Sequence, residues 1–230
     1  METAWIMTQE WHDLTFFHWP IDPEYLRPHI PGELELDLFN GQAWLSVVPF
    51  EARETCPRYM PPVPGGCRYL ELNVRTYVRY GGRSGVYFFS LDADSRPIVW
   101  TAGMLLPYRR AAMDFKRAGC NQRFSSERVH KGCFPERFGV DYTAMPKFIN
   151  RSSLDIWLTE RYSLWTKPAR QLIRVDIRHE SWKLQPVTYN IRCNSLAAFI
   201  RTDWRGGEPL AHYSKFEKVW FYPPVIERIM

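Results

Sequence analysis

The chain has 230 residues, of which 45% are hydrophobic and 16% aromatic, a composition that excludes a disordered protein and supplies a sizeable core. Its net charge of +5 comes from scattered basic residues rather than one block, so we expect no nucleic-acid partner. No apolar run approaches 18 residues, and the first eleven residues do not resemble a signal peptide, so we expect a cytoplasmic protein with no membrane contact.

The reactive side chains follow no pattern that is typical of a metal or redox site. The cysteines are odd in number and irregularly spaced, which predicts reduced and mostly buried thiols; they are Cys56, Cys67, Cys120, Cys133 and Cys193. The six histidines lack metal-ligand spacing, and no glycine-rich phosphate loop appears, so we expect no metal and no cofactor. Without a linker or a shift in composition, residues 1–230 are predicted to form a single domain.

The first predicted element is a short helix near the N-terminus. Asp22 caps it and Pro23 suits its first position, whereas Pro28 limits it to one or two turns. The alternation of apolar and polar residues over 33–39 predicts a half-buried strand. The stretch 56–67 is rich in Pro and Gly, which predicts a loop.

The strongest strand pattern covers residues 69–80, where two faces alternate. One face carries Leu70, Leu72, Val74, Thr76 and Val78, and the other carries Glu71, Asn73, Arg75, Tyr77 and Arg79. Gly81 and Gly82 predict a hairpin that leads into a strand over 86–94.

Later patterns predict further strands and one more helix. The strands are expected at 96–105, 153–165, 174–182 and 218–222, the helix at 186–200, and an irregular segment at 119–149. The sum is a mostly β, largely antiparallel protein with a few short helices. Glu160 lies among apolar neighbours in one of these strands, so we expect it to pair with an arginine.

Six sequence blocks, in this order, resemble the YqjF-like family of uncharacterised conserved proteins. The blocks are residues 18–34, 41–50, 71–78, 85–93, 106–111 and 158–165. The similarity covers nearly the whole chain and is weakest at 114–150 and after 185. More remotely, the chain is similar to acetoacetate decarboxylase. That resemblance implies an acetoacetate-decarboxylase-like antiparallel β-barrel and sheet assembly with a closed pocket, and it leaves a homo-oligomer open.

The decarboxylase resemblance also places residues in that pocket. It implies a catalytic-site glutamate at Glu71, and it aligns the Pro-Lys-Lys segment of the decarboxylase with Tyr108, Arg109 and Arg110. One lysine of that segment forms a Schiff base with the keto acid, which requires a neutral amine. An arginine is neutral in fewer than about 1 in 10⁵ molecules at pH 7, so imine chemistry is not expected here. The nearest lysine, Lys116, is predicted to be a solvated surface residue.

The residues therefore predict a pocket that binds an organic acid non-covalently. Glu71 and Tyr108 are the expected acid–base residues. The expected substrate-binding residues, for a small organic acid or similar anion, are Arg75, Tyr77, Arg109 and Arg110. Two alternatives stay open. In the first, the side chains of Arg109 and Arg110 point into solvent or pair with Asp92 or Glu71. In the second, the strand face that carries Glu71 is an ordinary solvent-exposed sheet face.

Three functions remain open at this point. The first is an anion-binding pocket protein that lacks the Schiff-base lysine. The second is an enzyme, a lyase or hydrolase, that performs acid–base chemistry on a carboxylate-bearing small molecule without an imine. The third is a structural or partner-binding β domain whose pocket is filled by aromatic side chains.

Overall fold

The computed structural model describes residues 4–63 and 65–227; the predicted loop 56–67 thus contains one residue, Pro64, outside this range. The described residues form thirteen strands: β1 (Met7–Ile21), β2 (Glu35–Leu36), β3 (Ala43–Pro57), β4 (Arg68–Tyr80), β5 (Arg83–Ala93), β6 (Tyr108–Ala118), β7 (Asn121–Arg128), β8 (Arg137–Ala144), β9 (Ser163–Thr166), β10 (Ile173–Arg178), β11 (Gln185–Asn194), β12 (Leu210–Phe221) and β13 (Val225–Ile226). The α-helices are α1 (Pro23–Leu26), α2 (Arg96–Ala102) and α3 (Ser153–Thr159), and 3₁₀ turns cover Arg27–His29, Pro168–Arg170 and Trp204–Gly206.

The strands form one extended, mostly antiparallel sheet, which confirms the predicted fold class. Their order is β13-β10-β9-β5-β6-β7-β8-β11-β12-β1-β3-β4-β2, with additional pairings of β10 to β12 and of β5 to β4. Parallel pairing occurs where β5 meets β6 and β9. Because the extra pairings join strands that are distant in this order, the sheet curls around its apolar side chains. None of the helices in the described part of the chain is long and apolar enough to cross a bilayer.

Strand β4 separates two hydrophobic cores. Tyr69 and Tyr77 belong to one core, and Leu72 and Val74 belong to the other. Residues 71–78 are therefore buried on both faces, which confirms the strand but not the alternative of a wet face around Glu71. The alternation of polar residues is real, but the polar face points into the protein because the curled sheet encloses it.

Two short segments near the N-terminus follow their local chemistry. The Asp22 carboxylate accepts a 2.9 Å hydrogen bond from the Glu24 backbone N–H at the start of α1, as predicted. The helix then tightens into a 3₁₀ turn that contains Pro28. The strand predicted over 33–39 shrinks to β2, because only two residues find a partner on β4.

Helix capping overrides apolar runs at two places where strands were predicted, and both predictions are wrong there. The Ser95 hydroxyl accepts from the Ile98 N–H, so 96–105 begins with α2 rather than a strand. Ser152 and Asp155 form a reciprocal capping box that begins α3, and only the end of 153–165 forms strand β9.

Two predictions in the C-terminal half are also wrong. The helix predicted over 186–200 is strand β11 up to Asn194, with alternating exposure along its length. The irregular segment predicted over 119–149 contains β7 and β8, whose alternation is masked by scattered charges. The strands predicted over 174–182 and 218–222 are confirmed within β10 and β12.

The cysteines are free thiols, but the prediction that they are mostly buried is wrong. Cys56 and Cys133 are partly buried, whereas the other three are exposed. Cys120 lies in the turn between β6 and β7, and Cys67 lies just before β4, so neither is covered by a second layer.

Candidate functional site

A cavity of about 60 Å³ lies inside the core that contains Tyr69 and Tyr77. Its wall is mostly aromatic and aliphatic, and its ionisable or amide side chains include Glu71, Asn73, Arg75, Tyr108, Arg161 and His179. At roughly 10–15 Å³ for each water-sized group, it has room for a molecule of a few non-hydrogen atoms. The chamber therefore contains free volume and is not filled by aromatic side chains.

Three of the polar residues come from one face of β4. Glu71, Asn73 and Arg75 are spaced two apart, so their side chains point the same way. The pairing of β4 with β5 shifts between Val74 and Arg75 because Phe89 of β5 has no partner on β4, which marks a β-bulge on β5. This polar part of the cavity wall is thus built by alternation along one strand.

Glu71 is the acid of the cavity, and its side chain is fixed by Tyr108. The Tyr108 hydroxyl donates a 2.8 Å hydrogen bond to Oε2 of Glu71, whose residue is only 5% exposed. Burial raises the pKa of Glu71 to about 8, although the Tyr108 bond lowers it and the charge of Asp92 raises it further. Burial also raises the pKa of Tyr108, so at pH 7 both groups are predominantly protonated.

Arg75 supplies a buried positive charge with no acid beside it. The residue is 9% exposed, and within the described residues no carboxylate forms an ion pair with it. Its Nε has no hydrogen-bond partner, and its guanidinium lies 5.7 Å from the ring centroid of Phe16. Burial lowers the pKa of Arg75 and the Tyr77 hydroxyl raises it, but a guanidinium stays charged at neutral pH.

Arg161, a second arginine on the cavity wall, is neutralised. Its Nη1 donates a 2.6 Å hydrogen bond to Asp37, which also accepts a bond from Arg79 at 2.9 Å. Its Nε donates to the Trp157 carbonyl, and its guanidinium lies 4.3 Å from the Trp157 ring. The site prediction missed Arg161. The sequence signal for it was its position just after the segment that forms α3, because the chain turns back towards the core where a helix ends.

The expected pairing of Glu160 is confirmed: Arg151 Nη1 donates to Glu160 Oε1.

His179 adds a neutral imidazole to the cavity wall. Its Nδ1 lies 2.6 Å from the Glu180 carbonyl and so carries the proton, while burial lowers the pKa of the ring. That tautomer leaves Nε2 as an acceptor, and Nε2 has no partner.

Four cavity-wall residues carry a buried polar atom without a hydrogen-bond partner. The atoms are Nε of Arg75, Nη2 of Arg161, Oδ1 of Asn73 and Nε2 of His179. Buried polar atoms in native proteins are almost always satisfied by protein, water or ligand. Around this cavity, the four atoms are thus available to hydrogen-bond to a polar ligand or to water.

Three of the predicted anion-binding residues do not line this cavity. Tyr77 is buried beside it and its hydroxyl instead lies 2.6 Å from Ser46 Oγ and 3.0 Å from His18 Nδ1. Arg109 and Arg110 line a separate, open groove. The expected partner Asp92 is bonded to Arg128 at 2.9 Å instead.

The chemistry of the cavity differs from that of a Schiff-base enzyme. Among the residues that the structure describes, no lysine lines it. The Lys116 side chain is 73% exposed and lies 3.6 Å from Asp114, as predicted for a surface lysine. No cluster of three or more metal-ligating side chains occurs within residues 4–63 and 65–227.

Sequence comparison shows similarity to a family model and to a bacterial protein. The model described as DUF2071, uncharacterised conserved protein, matches residues 8–217. The uncharacterised protein YqjF of Bacillus subtilis (strain 168) is 41% identical over 223 residues, which cover 95% of this chain and 91% of YqjF.

Structure comparison confirms the predicted likeness to acetoacetate decarboxylase. An acetoacetate decarboxylase-like enzyme from Sphingomonas wittichii RW1 matches with a TM-score of 0.67 at 15% identity, covering 99% of this chain and 95% of that one. The enduracididine biosynthesis enzyme MppR, in complex with pyruvate, gives 0.65 at 11% identity over 98% and 91% of the two chains. An acetoacetate decarboxylase gives 0.66 at 12% identity over 97% and 90%. At such identities the likeness shows the fold alone.

Proposed function

The chain belongs to the DUF2071 family of uncharacterised conserved proteins, and from that premise we propose that it binds a small organic acid in its enclosed cavity. In this proposal Arg75 holds the carboxylate of the ligand, while Glu71 and Tyr108 hydrogen-bond to the rest of the molecule. The observation that carries the proposal is the buried guanidinium of Arg75, which has no carboxylate partner among the described residues.

The other buried arginines show what Arg75 lacks. Arg161 is paired with Asp37, and Arg128 is paired with both Asp92 and Glu136. A buried charge without a partner costs several kcal/mol. A ligand carboxylate would remove that cost through two parallel N–H···O bonds to the guanidinium.

Glu71 favours the same ligand because it is mostly uncharged at neutral pH. With its pKa at about 8, the carboxyl does not repel an anion below that pH, and its proton is available as a hydrogen-bond donor. The cavity volume of about 60 Å³ restricts the ligand to a few non-hydrogen atoms. MppR, which shares the fold, was solved with pyruvate, so this keto acid is a suitable first probe.

A second candidate function is acid–base catalysis without an imine, and the Glu71–Tyr108 hydrogen bond favours it. A carboxyl with a pKa of about 8 has both of its protonation states populated near neutral pH, which suits proton transfer. The ionised Glu71 would take a proton from the carbon beside the ligand carbonyl; the resulting acid would exchange that proton with solvent and then deliver a solvent-derived proton, in D₂O a deuteron, to the same carbon. The measurable result is exchange of the pyruvate methyl hydrogens for deuterium in D₂O.

The proposal is tested by titrating the protein with pyruvate, acetoacetate and lactate while measuring heat and melting temperature. We expect one site per chain and a binding constant that falls at least tenfold in Arg75→Met. Arg83→Met, which changes an exposed arginine of β5, is the matched control and keeps wild-type affinity. Binding that survives Arg75→Met, or no saturable binding of any acid to a folded wild type, would contradict the proposal.

The unliganded stability of Arg75→Met separates binding from a structural role. Because methionine replaces an unpaired buried charge, the free energy of unfolding should stay equal or rise without ligand. A large loss of stability instead would assign Arg75 a structural role. If deuterium exchange is absent in the wild type, or unchanged in Glu71→Gln, the catalytic candidate is excluded and the binding proposal remains.

A further inference from the structure

Arg109 and Arg110 line an open groove outside the cavity, and we infer that this groove binds a phosphate group attached to a planar ring, as in a nucleoside diphosphate. The groove has a volume of about 440 Å³ and lies beside α2 and the start of β6. Its walls include Arg96, Trp100, Met104, Arg109, Arg110 and His130, and we call it the basic groove. Of the residues that the structure describes, only Tyr108 lines both the groove and the cavity.

The basic groove carries positive charge that nearby acids offset only in part. No acidic side chain lines it, and none of its three arginines forms an ion pair within residues 4–63 and 65–227. The acids nearest in sequence hydrogen-bond to other groups: Asp92 accepts from Arg128, and Asp94 accepts from the Leu70 backbone N–H. Asp92 nevertheless lies within electrostatic range of Arg109, and Asp94 within that of Arg110. Such a concave surface of one charge sign attracts anions.

Backbone carbonyls hold the two central guanidinium groups in place. Arg109 Nη1 donates a 2.9 Å hydrogen bond to the Tyr108 carbonyl. Arg110 Nη1 donates to the carbonyls of Ala111 at 2.7 Å and of Ala93 at 3.3 Å. Each group therefore has one anchored nitrogen, while its other N–H donors are not engaged in these bonds. A planar fork that is already oriented suits a phosphate, because two parallel N–H···O bonds form with little further ordering.

His130 adds a further donor to the same wall. Its Nδ1 accepts a 2.9 Å hydrogen bond from the Arg110 backbone N–H, so a neutral ring carries its proton on Nε2. The ring is thereby fixed to the strand that carries the arginines. Phosphate oxygens accept hydrogen bonds from both imidazole and guanidinium donors.

The groove also has an exposed apolar side. Trp100 is 76% exposed and Met104 is 74% exposed, although large apolar side chains are usually covered. Arg96 and Trp100 are four apart on α2, so they share one face of the helix. The exposed indole offers a face on which a flat ring can stack, while the phosphate contacts the arginines. Charge and ring together thus favour a ring-bearing phosphate over a simple anion.

The test compares adenosine diphosphate with inorganic pyrophosphate by calorimetric titration of the full chain. We expect one site for each ligand, tighter binding of adenosine diphosphate, and weaker binding of both as salt is raised. The double variant Arg109→Gln/Arg110→Gln should weaken both ligands at least tenfold. Trp100→Ala should weaken adenosine diphosphate about tenfold and leave pyrophosphate unchanged.

Two control variants make the result specific. Arg178→Gln, an exposed arginine of β10, should leave both affinities unchanged. Arg75→Met should also leave them unchanged, which separates the groove from the cavity. The inference is overturned if neither ligand saturates the folded protein below about 1 mM, or if binding survives the double arginine variant. It is also overturned if the protein is a dimer that binds no phosphate and that Trp100→Ala dissociates, because the groove would then be a subunit interface.

Discussion

The hydroxyl of Tyr108 donates a 2.8 Å hydrogen bond to Glu71, which joins the start of β6 to the polar face of β4 across the cavity. The bond favours the ionised carboxyl, but burial outweighs it, so the pKa of Glu71 is still raised to about 8. Arg75, which stays charged at neutral pH, lines the same cavity. At neutral pH the two residues therefore present one positive charge and one proton donor to whatever occupies the cavity.

The pH dependence of stability should carry a contribution from Glu71. A carboxyl whose pKa rises from 4.5 to about 8 on folding stabilises the native state below pH 4.5 and loses that effect as pH rises towards 8. The difference in unfolding free energy between wild type and Glu71→Gln should therefore fall over pH 5–8, by up to about 1.4 kcal/mol per pH unit. Urea denaturation at three pH values measures it, and parallel profiles would disprove the shift.

The affinity for pyruvate should fall above about pH 8. Binding of an anion favours the neutral form of Glu71, so the affinity drops up to tenfold per pH unit once the carboxyl ionises. Glu71→Gln should remove this dependence. Tyr108→Phe deletes a hydrogen bond that lowers the pKa of Glu71, so the inflection should move to higher pH. Calorimetry over pH 6–9.5 checks all three; a wild-type profile without an inflection would contradict the expected coupling.

The pair Arg161–Asp37 should contribute strongly to stability. Asp37→Asn leaves the buried Arg161 charge without an acid, and we expect a loss of about 3–5 kcal/mol in unfolding free energy. Adding Arg161→Met should recover much of that loss. The exposed pair Arg123–Asp141 provides the control, because Asp141→Asn should cost less than about 1 kcal/mol. Chemical denaturation gives these values, and equal losses at the two aspartates would count against the argument.

Gly85 lies where β5 and β9 approach too closely for a side chain. A Cβ added there would lie 2.1 Å from the Ser163 carbonyl oxygen and 2.5 Å from the Trp165 ring. Gly85→Ala should lower the unfolding free energy by at least about 1–3 kcal/mol. Gly32→Ala is the matched control, since nothing lies within 4 Å of its added Cβ. A melting temperature for Gly85→Ala equal to that of the control would refute the close contact.

Borohydride treatment in the presence of acetoacetate should leave the mass of the protein unchanged. Trapping requires an amine nitrogen to attack the keto carbon and release water, after which hydride reduces the imine. The described cavity wall holds no lysine, and Lys116 is exposed beside Asp114. Intact-mass spectrometry measures the outcome. A stoichiometric adduct, at Lys116 or elsewhere, would restore Schiff-base chemistry as the leading hypothesis.

Local sequence signals predicted those parts of the molecule in which neighbouring residues decide the structure. The alternation over 69–80 identified β4, and the Asp22–Pro23 pair identified α1. The blocks shared with a known family predicted the mostly β fold and drew attention to Glu71. The apolar run over 96–105 led to a wrong strand prediction, because the N-cap by Ser95 favours a helix in a segment whose length and composition also allow a strand.

The tertiary structure alone decided which arginine faces the cavity. Alternation divides β4 into two faces but does not tell which face is dry, since that depends on how the sheet curls. Arg109 and Arg110 looked suited to the cavity, yet they line an outer groove, while Arg75 and Arg161 line the cavity. Their surroundings come from segments distant in sequence, as for Arg161 and Asp37, which are 124 positions apart. The free energy of a buried charge depends on those surroundings rather than on its neighbours in the chain.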